Sequence, residues 1–227
     1  MWQELHSELH SQGLEIVTVA LDVNVEAARG IIRRNSHDHP SLIDSAHVLD
    51  ELFGIVNVPS GVWIDERGMI VRPPEPAFPI RREYDASKAP PNLPEHIAAM
   101  LAEAGKIRIE PETYVAALRD WVTRGDDSPY ALSPDEVVER SRPRPVEEAQ
   151  AAAHFELGQH LYASGQSELA VGHFREAHRL QPDNWTYKRQ AWSLADPLQG
   201  PTELYDGDWL SEVRKVGAEN YYPPLRM

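Results

Sequence analysis

Ten histidines, an excess of carboxylates and no cysteine set the chemistry open to this chain. His6 and His10 stand one helical turn apart, a spacing at which two imidazoles can share a metal ion. Two ligands make a poor site, and no carboxylate or third histidine has suitable local spacing, so an exposed polar face is the simpler reading. His37 and His39 flank Asp38 just before Pro40, a composition that occurs in metal-binding loops. Polar residues closing a helix end account for it equally well. These residues therefore predict no metal and no cofactor. Asp65 and Glu66 begin an Asp-Glu-Arg-Gly turn whose side chains should point into water, which is turn chemistry alone. No serine has a G-x-S-x-G setting or a histidine partner, and no glycine-rich phosphate loop is present. Without cysteine, neither disulfides nor thiol catalysis can arise within these residues.

Composition narrows the partners. A net charge of −14 over 227 residues argues against nucleic acid, because phosphate binding needs clustered Lys and Arg. No run of about 18 apolar residues occurs, so no membrane span is expected. MWQELHSELHSQ lacks a basic region followed by an apolar core and does not read as a secretory signal. Absent cysteines leave the redox compartment open, and the cytoplasm is the default expectation.

Apolar periodicity then places the elements. Trp2, Leu5 and Leu9 predict a helix over Trp2–Gln12, stopped by Gly13. Leu14–Leu21 runs continuously apolar, as a parallel strand buried on both faces would. A helix is expected over Asp22–Arg34 and a short one over Ala46–Phe53, closed by Gly54. Gly61–Ile64 and Met69–Val71 read as an antiparallel hairpin. Arg72–Pro94, rich in proline and charge, reads as an irregular insertion. Helices follow over Glu95–Ala104 and Pro111–Arg124, the second with Tyr114, Leu118 and Trp121 on one face. Residues 126–145 read as a linker holding at most a short helix, Pro134–Arg140, capped by Ser133.

The order GLEIVTVALDV, helix, then ELFGIVNVPSGVWIDERGMIV resembles the second half of a thioredoxin fold, of the redoxin or thiol-disulfide oxidoreductase branch. The resemblance implies an incomplete α/β thioredoxin-like domain with a mixed sheet over residues 1–125, ending in the helix Pro111–Arg124. It implies a cis Val58–Pro59 bond in a loop that offers backbone to an extended peptide, so Val58, Pro59 and Ser60 become the candidate substrate-binding residues. In that family a C-x-x-C pair stands at the start of the helix corresponding to Trp2–Gln12, and it is missing here. The expected catalytic residues in this chain are therefore none. Oxidoreductase activity would need an upstream segment bearing cysteine or selenocysteine. The family's central strand, between Ile16–Leu21 and Gly61–Ile64, would be missing too, leaving strand edges that recruit another strand or a second copy.

Residues 146–195 change character. Leu157-Gly158, Leu161, Gly165, Ala170, Phe174, Ala177 and Pro182 resemble a single tetratricopeptide repeat, with His154 where that consensus prefers Trp. Small Gly158 and Ala170 would let two helices cross closely while Leu157, Leu161 and Phe174 fill the groove. Three helices are predicted, Val146–Ser164, Ser167–Leu180 and Asn184–Leu194, followed by a tail over 196–227 without periodicity. One repeat cannot bury its own face, so it should dock on the first domain or on the tail. Two functions follow: a redox protein whose active-site segment is not in this chain, or a non-catalytic interaction module that binds a protein or peptide partner.

Overall fold

The computed structural model describes residues 2–35, 38–81, 93–141 and 143–227. His37 and residues 82–92 of the expected insertion lie outside them. Two compact units emerge: Met1–Ile80 with Glu110–Pro145 and Leu225–Met227, and Arg81–Ile109 with Val146–Pro224. The segment carrying the helix Glu95–Ala104 thus belongs with the later helices, not with the strands as the sequence suggested. Among the described residues no helix is long and apolar enough to cross a membrane.

In the first unit, α1 (Trp2–Leu9) continues as a 3-10 turn over His10–Gln12 and buries Leu5 and Leu9. Next come β1 (Thr18–Leu21), α2 (Val25–Asn35), β2 (Ser41–Asp44), α3 (Val48–Phe53), β3 (Ser60–Ile64) and β4 (Ile70–Pro76). The strands form two pairs instead of one mixed sheet: β1 runs parallel to β2, and β3 antiparallel to β4. β2 has no counterpart in the sequence reading. β1 is only half-buried throughout, against the expected burial on both faces. Among the described residues it has one strand neighbour, β2.

β4 corrects the insertion boundary, since Ile70–Pro76 is strand and Val71, Arg72 and Pro73 are buried. Proline cannot donate to a ladder and survives in sheets at edges or bulges. Here the register shifts between Gly61 and Trp63, where Pro73 and Pro74 fall. Behind β3 lies α5 (Pro111–Arg124), whose Tyr114, Val115 and Leu118 join Trp63, Leu5 and Leu9 in one core. Trp63 stacks on Trp121 with centroids 5.1 Å apart and donates from Nε1 to the Tyr114 hydroxyl at 3.0 Å. α6 (Pro134–Arg140) starts from Ser133 in a complete capping box.

The second unit comprises α4 (Glu95–Ala104), α7 (Val146–Ala163), α8 (Ser167–Leu180), α9 (Trp185–Ala195) and α10 (Trp209–Val216). Helices α7 to α9 lie within one residue of their predicted ends. A Cβ on Gly158 would come within 2.8 Å of the Phe174 ring, so the close crossing of α7 and α8 does require glycine there. Leu157, expected in the groove, is exposed. Phe155 fills the place instead, stacked 4.2 Å from Tyr187. The tail is not structureless, because Asp208 caps α10 and Tyr221 closes on Trp185 and Trp209. Trp209 Nε1 donates to the Tyr221 hydroxyl at 3.1 Å.

Candidate functional site

The loop between α3 and β3 is held by its own polar atoms. Asn57 is buried, and its Oδ1 accepts the Val58 N–H at 2.9 Å. Ser60 Oγ donates to the Asn57 carbonyl at 2.7 Å, and the Pro59 carbonyl accepts the Ala77 N–H at 3.1 Å. The Val58–Pro59 bond is cis, with Pro59 exposed and Val58 half-buried. The three candidate substrate-binding residues therefore lie on one ordered surface turn. The Ser60 hydroxyl is committed to structure. Asn57 escaped the sequence reading, although an amide side chain preceding an X-Pro pair is a turn signal.

Strand pairing decides which backbone groups face outward. Thr18 N–H donates to Pro40 O at 3.0 Å, so Thr18 and Ala20 face β2 while the polar groups of Val19 and Leu21 point the other way. On β3, Pro59 and Gly61 face β4, so Ser60 and Val62 present theirs to the opposite edge. Among the described residues neither edge has a strand partner. Such edges can accept an extended peptide.

Beneath this surface lies an ion pair that the sequence did not reveal. Arg72 and Glu75 are both buried, with Nη1 2.5 Å from Oε1. The Arg72 guanidinium lies 5.4 Å from the Trp63 ring centroid and also donates to the Tyr130 carbonyl at 3.1 Å. Glu75 Oε2 accepts the Arg226 N–H at 3.0 Å. Every member has partners, as a buried charge requires. Burial pushes the nearby Tyr114 phenol up to about 12, so it remains a neutral hydrogen-bonding group.

Asp65 departs from the expected water-facing turn. It is buried, accepting the Met69 N–H at 2.8 Å and the Arg67 N–H at 2.9 Å, and the Met69 bond is the main cause holding its carboxyl below the usual range. A second unexpected pair joins His47 Nδ1 to Asp50 Oδ2 at 2.9 Å, both side chains buried. Their only sequence signal is the i, i+3 spacing.

The histidines of α1 acquire what their local spacing lacked. Glu15 Oε1 lies 3.1 Å from His6 Nε2, and Glu15 Oε2 lies 3.4 Å from His10 Nδ1. His39 stands beside them, its ring centroid 5.7 Å from that of His6, with its nitrogens near Gln3 Oε1 and Thr18 Oγ1. Asp38 turns instead to Gln3, whose Nε2 donates to it at 2.8 Å. In the second unit His154 and His173 meet through Nδ1 atoms 2.9 Å apart. No protein-family model, curated protein or solved structure matches the chain.

Proposed function

We propose that the first unit is the peptide-binding half of a thioredoxin-like redox site. The loop at Val58, Pro59 and Ser60 receives an extended substrate. The redox thiol or selenol comes from a residue outside these 227, because none of them is a cysteine. One observation carries the reading: among the described residues β1 pairs only through the edge facing β2, and β3 only through the edge facing β4. A thioredoxin-like sheet without its central strand divides in this way. A second copy would pair along the same edges in the absence of that strand.

Mass spectrometry of the protein isolated from its cells, alkylated with and without prior reduction, tests the proposal. Peptides N-terminal to Met1 that carry a reducible cysteine or selenocysteine are the expected result. A mature chain starting at Met1 would refute it and favour the second reading, a non-catalytic interaction module. That reading draws support from Leu157 and Leu169, which are apolar yet 41% and 59% exposed on α7 and α8.

A further inference from the structure

The geometry points to a divalent metal site formed by His6, His10 and Glu15, with Zn²⁺ as the ion of matching chemistry. A helical reversal builds it. Gly13 takes a left-handed conformation with φ 101°, its N–H donating to His10 O at 3.0 Å and the Leu14 N–H to Leu9 O at 3.3 Å. These two bonds form a Schellman turn. The turn sends the chain back along α1 and sets Glu15 beside the two imidazoles. No periodic pattern within the helix could reveal that carboxylate.

The donor atoms of the three side chains lie within 4.8 Å of one another. Zinc bonds to nitrogen and oxygen of about 2.0–2.1 Å imply tetrahedral ligand–ligand separations of about 3.3–3.4 Å. His6 Nε2 lies 3.1 Å from Glu15 Oε1 and His10 Nδ1 lies 3.4 Å from Oε2, so each imidazole already stands at about that distance from one oxygen of the carboxylate. His6 and His10 have ring centroids 4.6 Å apart, so small rotations close the third edge. The scaffold is anchored: Leu5 and Leu9 fix the helix in the core, and Glu15 Oε1 accepts the Ile16 N–H at 3.2 Å. His10 and Glu15 side chains are about half exposed, at 58% and 47%, which leaves an entry path and room for water as fourth ligand. Two nitrogens and one oxygen with a water position suit zinc. His39 lines the site without ligating, since Gln3 and Thr18 engage its ring.

The alternative is a purely protonic cluster in which both imidazoles donate to Glu15. Zinc titration of the tag-free full chain, followed by calorimetry and by thermal unfolding, separates the two. We expect one high-affinity equivalent and a rise in Tm with zinc. Glu15→Gln and His10→Gln, both at exposed side chains that need not disturb the core, should each weaken zinc binding at least tenfold. His173→Gln in the other histidine pair should leave it unchanged. Absence of stoichiometric binding, wild-type affinity in the first two variants, or loss confined to His173→Gln would each overturn the assignment. The result is independent of the redox proposal, because no residue of the Val58–Pro59 loop is involved.

Discussion

The strands of the first unit and the helices of the second meet the same demand, covering apolar surface and backbone polar groups, with different means. An α-helix satisfies its own ladder internally, so α7, α8 and α9 need only side chains to seal them. Phe155, Phe174, Tyr187 and the tail residues Trp209 and Tyr221 supply those. A strand always presents two edges, and β1 and β3 each have one without a strand partner among the described residues. The second unit thus closes its aromatic core with its own residues, although Leu157 and Leu169 stay exposed, whereas the first keeps strand edges suited to another strand. The difference teaches that a missing partner shows more clearly in backbone pairing than in hydrophobic content.

The largest expected effects test whether each core depends on the groups named. Arg72→Ala should cost about 3 kcal/mol, because it removes the nearer cation of the buried Glu75 carboxylate and leaves it only Arg140, 3.6 Å away. Arg72→Met with Glu75→Leu should recover only part of that loss, because the apolar pair leaves the Tyr130 carbonyl and the Arg226 N–H without these partners. Phe174→Ala in the second unit should also cost about 3–5 kcal/mol through the cavity it leaves beside Gly158. Urea unfolding of the three variants measures all of these. An Arg72→Ala loss below 1 kcal/mol would remove the buried pair from the account of the first unit.

The next effect depends on pH and belongs to the second unit. Burial lowers the His178 pKa from the ordinary 6.5 to about 4, so the fold holds this imidazole neutral. Between those values the unfolded chain binds the extra proton. Stability from this group is therefore complete above about pH 6.5 and is lost as pH falls toward 4, by about 3 kcal/mol in total. His178→Phe should flatten that part of the pH dependence relative to the parent chain. Equal slopes for the two proteins between pH 4 and 6.5 would contradict the assignment.

Much of the helical framework could be read in advance, because it rests on local signals. Proline starts α5 and α6, Ser133 caps α6, and the small residues Gly158 and Ala170 mark the α7–α8 crossing. What escaped depends on partners distant in sequence or on tolerated exceptions. β2 is four residues long and exists through its pairing with β1. β4 contains three prolines, two of them at a bulge, and α10 is short, with only Asp208 and Ser211 to announce it. The loop at Val58 to Ser60 was legible from its order in the chain. Its anchor Asn57 and the Glu15 that completes the histidine cluster were not, since turns place them.

Helix caps offer a smaller and sharper comparison. Asp208 is buried and accepts the Ser211 N–H at 3.0 Å, while Ser133 does the same for Glu136 at 3.4 Å on an exposed end. Caps contribute about 0.5–2 kcal/mol. Asp208→Ala should fall near the upper limit and Ser133→Ala near the lower one, measured by thermal unfolding. The reverse order would show that burial does not set the strength of these caps.

The smallest effect lies on the surface of the first unit, where Arg119 grips Glu8 with two hydrogen bonds of 2.7 and 2.8 Å. That grip, led by the Arg119 hydrogen bond, holds the Glu8 carboxyl below its usual range. Both side chains are about half exposed, so water and salt screen the attraction, and the pair should contribute only about 0.2–1 kcal/mol. Because the folded pKa is lowered, the contribution is present above the ordinary carboxylate range and fades as pH falls through the lowered value. A double-mutant cycle with Glu8→Gln and Arg119→Met should find this coupling at low ionic strength and lose most of it in about 1 M salt, where the Debye length shrinks to about 3 Å. The buried Arg72–Glu75 pair, shielded from ions, should keep its coupling under the same conditions. Coupling at Glu8–Arg119 that survives high salt would mean that α1 and α5 are tied by more than exposed charge.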